Sequence, residues 1–157
     1  MLEALRSNIK EFKTCLFCDS WEINTENMWD SSLYEIFYNK YGYDIREFID
    51  VLDNLKTTVG YDYFKLISET VINNFYKELT NICNTNECYS RVQCHGSPTN
   101  LIDVYSCIDI PKSEVLLYPI HFCRIPASSA SLHNKPIVSC ETFTCMSRDG
   151  PYGRISK

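Results

Sequence analysis

The stretch Tyr89-Ser90-Arg91-Val92-Gln93-Cys94-His95-Gly96-Ser97-Pro98 decides how the chain is read. Its first six residues form a short β-rich run that ends in polar side chains. Ser97-Pro98 then offers a cap followed by proline at the first helical position, a good helix start. Leu101, Ile102 and Tyr105 supply an apolar side for that helix. The spacing therefore predicts a strand feeding a helix. Working outward, the same alternation recurs. Thr14-Cys15-Leu16-Phe17-Cys18 is short, apolar and β-like, and runs into the polar cluster Asp19-Ser20-Trp21-Glu22. Ile137-Val138-Ser139-Cys140-Glu141 is another short run ending in a carboxylate. Strands alternating with helices point to parallel βα units.

The helices follow from periodicity. Leu2, Leu5, Ile9 and Phe12 predict an amphipathic helix over 2–13. Asp30 or Ser31 can cap a helix carrying Leu33, Ile36 and Phe37, with Glu35 placed for a capping box and Gly42 as the stop. Asp44 can cap a short helix with Phe48, Ile49 and Leu52. The clearest helix spans about 61–82, where Phe64, Ile67, Val71, Phe75, Leu79 and Ile82 step by three or four along one face. Val115–Phe122 reads as a strand interrupted by Pro119, and Ala127–His133 as a short helix ended by Pro136. Residues 146–157 read as loop or as a truncated end.

Bulk properties narrow the function classes. The 157 residues carry 15 basic and 20 acidic side chains, a net charge of −5. That balance argues against nucleic acid as the main partner, because neutralising phosphates needs a basic face. No apolar run approaches the ~20 residues of a membrane span. The stretch MLEALRSNIKEFK lacks the apolar region of a secretory signal. The nine cysteines are an odd number, so a closed disulfide framework would leave one over. Cys15 with Cys18 and Cys83 with Cys88 form close pairs, and a small zinc-binding α/β protein using these four is one alternative. Burial as small apolar side chains is the other, and it fits a reducing compartment.

Three strands end in groups that do chemistry: Asp19 and Glu22, Gln93 and His95, and Glu141. In a (β/α)8 barrel the catalytic groups come from the C-terminal ends of several strands. A full barrel takes ~250 residues, so the expected fold class is α/β, either a smaller fold or a partial (β/α)8 TIM-type barrel of about three or four βα units.

The motifs also resemble a known family. Phe17-Cys18-Asp19-Ser20-Trp21-Glu22, Asn27-Met28-Trp29 and Tyr41-Gly42-Tyr43-Asp44 resemble the D-S-x-E strand end, N-W loop and G-Y-D junction of alpha-L-rhamnosidase-like glycoside hydrolases of family 106. Arg91-Val92-Gln93-Cys94-His95-Gly96-Ser97-Pro98, with Leu101-Ile102-Asp103-Val104-Tyr105, resembles that family's Q-A-H-G-x-P and D-L-L-D-x-Y segment. Asp109-Ile110-Pro111-Lys112-Ser113-Glu114 resembles its D-I-P-E-x-E turn, with Lys112 where the family usually has Glu. The runs 127–136 and 139–144 resemble A-S-S-A-A-H-x-x-G-K-P and S-A-E-x-F-T. The resemblance covers about 14–145 and implies the central part of a catalytic barrel, so that 1–157 would be one partial catalytic-barrel domain.

The resemblance further implies cleavage of terminal alpha-L-rhamnosides in an oligosaccharide or glycoside, with inversion and a bound calcium. Such cleavage needs one carboxylic acid to protonate the leaving oxygen and a second carboxylate across the sugar. Glu22 and Glu114 are the expected acid/base pair, with Glu141 binding sugar hydroxyls or metal. Asp19, Trp21, Gln93, His95 and His133 are expected substrate contacts, and Asp103, with Asp19 and Glu141, would supply calcium oxygens. The nearest alternative is a non-catalytic remnant or sugar-binding module, which Lys112 favours.

Overall fold

The computed structural model describes residues 14–21, 28–115 and 119–142. Glu22, the 2–13 helix and the 146–157 tail lie outside these. Four strands form one sheet in the order β1 (Cys15–Cys18), β2 (Tyr89–Gln93), β3 (Ile110–Glu114) and β4 (Ser139–Glu141). Every pairing is parallel. The register places Phe17 beside Arg91, Gln93 beside Lys112, and Glu114 beside Glu141. Strand order follows chain order, so there is no reversal point, and connections of one hand, the rule for parallel strands, carry the connecting helices to one side.

The first crossover is long. It holds α1 (Leu33–Tyr41), a 3-10 segment (Ile45–Val51), and a helical rod made of α2 (Thr58–Val71), a π turn (Ile72–Tyr76) and α3 (Lys77–Thr85). The later crossovers are short: α4 (Leu101–Ser106), then α5 (Ile120–Cys123) and α6 (Ile125–Leu132). Gly42 ends α1 with φ 81°, a left-handed position that favours glycine. Gly60 is needed for space, because a Cβ there would lie 2.2 Å from the Asn54 carbonyl oxygen.

Two apolar cores meet at the π turn. Leu33, Phe37, Ile45, Leu52, Val59, Tyr63, Leu66 and Ile67 close the helical part. Ile72, Tyr76, Val92, Cys94, Val104, Tyr105 and Ile108 join the rod to the sheet. Val71 packs against both. Along the rod, the half-buried Val71 follows Ile67 by four, Tyr76 follows Val71 by five across the π turn, and burial then continues through Thr80 and Cys83. An i→i+5 turn adds one residue to the winding, which moves the buried stripe by one position. The uniform 3.6 period assumed over 61–82 could not contain that step. Phe75 and Ile82, expected in the core, are accordingly exposed.

Several local expectations are corrected. Of the strand expected at Val115–Phe122, residues 116–118 lie outside the described residues; Ile120–Cys123 is helical, and the strand that joins the sheet is Ile110–Glu114. The strand Ile-Pro-Lys-Ser-Glu has little apolar signal, and its place between β2 and β4 decides its conformation. Asn100 caps α4, its side chain accepting from the Ile102 and Asp103 amides, so Ser97-Pro98 only approaches the helix. Ser32 is the N-cap of α1 and makes no side-chain cap bond; Asp30 instead accepts from the Ser32 amide at 2.8 Å. No capping box forms. The helix after Asp44 is a 3-10 segment that buries Ile45 and leaves Phe48 and Ile49 exposed.

Deleting the exposed Asn74 should force the π turn into an α-turn and rotate α3 against the sheet. Urea unfolding should then show a loss of at least ~3 kcal/mol, the scale of emptying core positions. Asn74→Ala should stay within ~0.5 kcal/mol of wild type. Equal stability of the deletion would refute the role given to the turn.

Candidate functional site

Successive strand residues face opposite sides. Val92 therefore enters the core with α3 and α4, while Arg91 and Gln93 face away from it. The same alternation puts Lys112, Glu114, Ser139 and Glu141 on the face of Arg91 and Gln93. Parallel sheets normally bury both faces under apolar side chains. Here the face opposite the helices carries a row of ionisable and amide groups.

The row is tightly bonded. The Lys112 Nζ donates to Gln93 Oε1 at 2.7 Å and to Glu141 Oε2 at 2.5 Å. The Gln93 Nε2 donates to Glu114 Oε2 at 2.8 Å. The Phe17 ring lies 4.4 Å from the Lys112 Nζ and 5.3 Å from the Arg91 guanidinium, a cation–π arrangement with both. The Arg91 Nε donates to Ser139 Oγ at 3.1 Å. Lys112, Glu114 and Gln93 are 4%, 7% and 1% exposed, whereas the Glu141 side chain is 38% exposed. One end of the network is thus deep and the other wet.

The strand ends are held from behind. The Tyr105 hydroxyl donates to the Lys112 carbonyl at 2.9 Å and accepts from the Cys94 amide at 3.0 Å. It clamps β2 to β3 just behind the row. The Ser113 hydroxyl donates to the Cys123 carbonyl at 2.7 Å, fixing the exit of β3.

Burial pushes the Glu114 carboxyl above the ordinary carboxylate range, and the negative charge of Glu141 pushes it the same way. The hydrogen bond from Gln93 and the charge of Lys112 oppose the shift, and Asp19 adds to it. Two neighbouring carboxyl groups thus have different surroundings. Glu114 is buried and biased toward its protonated form, while Glu141 is partly wet and paired with an ammonium.

The expected site residues divide. Gln93, Glu114 and Glu141 come together. Asp19 is exposed just past β1 and acts on Glu114 through its charge. His95 is fully buried against the Tyr105 and Phe122 rings, and burial lowers its pKa. Trp21 packs on the rod, 5.7 Å from the Phe75 ring and 6.4 Å from that of Tyr76. His133 follows α6, with Nδ1 2.8 Å from the Ser129 carbonyl, and takes no part in the row. Asp103 is exposed on α4 and lines an outer groove with Ser68 and Asn73.

The donors named for calcium are therefore dispersed. Among the described residues no group of three or more His, Cys, Asp or Glu side chains could hold a metal ion. That covers Cys15, Cys18, Cys83 and Cys88 as zinc ligands too: all four are free thiols, two of them buried. Arg91, Phe17, Lys112 and Ser139 were not expected in the site. The period-two spacing of Arg91 with Gln93 and of Lys112 with Glu114 was the available signal, once β3 is recognised as a strand.

No protein-family model matches the chain, and no curated protein matches it. Among solved structures, the fold is similar to that of a rhamnosidase from Novosphingobium sp. PP1Y, with a TM-score of 0.66 and 19% identity. The similarity covers 82% of this chain and 14% of the rhamnosidase chain. At that identity it is a distant likeness of fold: a mixed α/β unit with a parallel sheet.

Two outcomes test the network. A carboxyl whose folded pKa is raised is favoured below its unfolded pKa, and that advantage is lost as pH rises through the folded pKa. Glu114→Gln should therefore gain in melting temperature relative to wild type as pH is raised from the Glu range toward neutrality. A difference independent of pH would refute the assigned environment. Glu141→Gln leaves a buried ammonium short of its counter-charge. It should cost about 1–3 kcal/mol in urea unfolding, less than a fully buried pair because Glu141 is partly wet.

Proposed function

We propose that this chain supplies part of the wall and rim of a saccharide-cleaving hydrolase site, with Glu114 as proton donor and Glu141 as the facing carboxylate. The observation that carries this reading is the pairing of Glu114 with Glu141 across β3 and β4 in different surroundings, Glu114 covered with its carboxyl pushed up by burial and Glu141 partly wet beside the Lys112 ammonium. Such divergence is how two like groups take acid and base roles at one pH. The four-stranded parallel sheet, in chain order, supports reading the chain as an arc of a (β/α)8 barrel, where the C-terminal strand ends carry the chemistry. The likeness to a rhamnosidase fold supports that reading, as do the motifs. Terminal alpha-L-rhamnosides are the proposed substrates.

In the proposed reaction Glu114 gives its proton to the glycosidic oxygen as the bond to the sugar breaks. Gln93 holds the Glu114 carboxyl in place, and its amide continues to donate to the carboxylate that forms. Glu141 accepts a proton from the attacking water or stabilises charge on the sugar ring. Lys112 fixes the orientation of Glu141.

One observation favours a second reading, a sugar-binding site without turnover. The 2.5 Å contact of Lys112 with Glu141 engages one oxygen of the carboxylate that would act as base. Release of nitrophenol from an aryl alpha-L-rhamnoside separates the two. On the hydrolytic reading the protein turns over, and Glu114→Gln loses about 10²–10⁴-fold in kcat, the usual worth of general acid catalysis. Rhamnoside binding without turnover establishes the second reading. Wild-type turnover in both Glu114→Gln and Glu141→Gln would overturn the first.

A further inference from the structure

We infer that the Lys112 ammonium is the resident cation of this rim, seated between oxygens of β2 and β4 that a divalent ion would otherwise need, and that the rim works without calcium. The ammonium is within hydrogen-bond distance of both Gln93 Oε1 and Glu141 Oε2. These are oxygens of the kind a hard cation takes, and calcium needs six to eight such ligands at about 2.3–2.6 Å. A tethered positive charge already on two of them repels a second cation and engages a lone pair on each. The other proposed donors do not make up the shell, because Asp103 is on the outer groove and Asp19 is exposed past β1.

The seat is built around the ammonium and is not a chance contact. Lys112 is 4% exposed, its carbonyl is clamped by Tyr105, and the Phe17 ring covers one side of its charge. Burying an ammonium costs several kcal/mol unless it is paired and hydrogen-bonded. Glu141 and Gln93 provide that pairing. Lys112 thus acts as a positioning residue through them, setting the direction of Glu141 and, through Gln93, of Glu114. The inference does not depend on the hydrolase reading, since its measurement is metal binding.

The test titrates calcium into the full chain, with calorimetry and thermal melts as readouts, in wild type, K112E and K112Q. Wild type should bind no calcium up to millimolar concentration, and its melting temperature should not move with calcium or chelator. K112E places a carboxylate between Glu114 and Glu141. It should bind calcium at least about tenfold more tightly than K112Q, with a melting temperature that rises with calcium as ligand linkage requires. Stoichiometric binding by wild type that is lost in E141Q would overturn the inference. So would a folded K112E that ignores calcium. Should K112E fail to fold with or without calcium, K112Q decides: calcium binding absent from wild type supports the seat, and its absence from both overturns it.

Discussion

An ammonium lies inside the sheet face where a parallel sheet ordinarily buries a valine or isoleucine. Lys112 can occupy that place only because β2 and β4 each bring it an oxygen, Gln93 Oε1 at 2.7 Å and Glu141 Oε2 at 2.5 Å. The contacts run sideways across three strands, so they also fix how those strands sit beside one another. Gln93 is the hub. Its carbonyl oxygen takes the ammonium and its amide nitrogen gives to Glu114, leaving both ends of one side chain engaged. A side chain so constrained has one amide orientation consistent with its neighbours, and this determines which Glu114 oxygen is held.

The opposite face backs the row with packed core. Val92 has no exposed surface and is packed with Tyr76, Val104 and Tyr105. Tyr105 belongs to both sides of the argument: its ring is core, and its hydroxyl grips the backbones of β2 and β3 behind the row. The π turn makes that packing compatible with a long first crossover. Without the extra residue, a rod whose first half faces Leu33 and Phe37 would turn Tyr76 away from the sheet. The turn therefore couples a helical layer far in sequence from β2 to the strand that carries Gln93.

Much of this was readable before any coordinates. Alternating short apolar runs and capped helices gave parallel βα order, because strand and helix periods are carried by local side chains. Gln93, Glu114 and Glu141 could be singled out from strand-end position and motif resemblance. What failed did so for identifiable reasons. β3 is Ile-Pro-Lys-Ser-Glu, with a proline lacking an amide proton and two charged residues, so hydropathy pointed past it to Val115. The π turn leaves no mark in composition. His95 and Trp21 are as compatible with a core as with a ligand, and only their neighbours, Tyr105 and Phe122 or Phe75 and Tyr76, decide for the core. Asp103 is exposed on α4, along a groove with Ser68 and Asn73.

Lys112 looked from the sequence like a lost carboxylate, and a lost carboxylate suggests a lost activity. In the fold it has a different consequence. Putting a third acid between Glu114 and Glu141 would crowd three like charges on one rim and would call for an external cation to neutralise them. A lysine at the same place supplies the neutralising charge from within, leaves Glu141 with a partner, and leaves Glu114 as the group that gains from keeping its proton. Lys112 thus sets a positive charge of β3 between side chains of β2 and β4. Depth separates the two carboxyls: Glu114 is covered and Glu141 is reached by water.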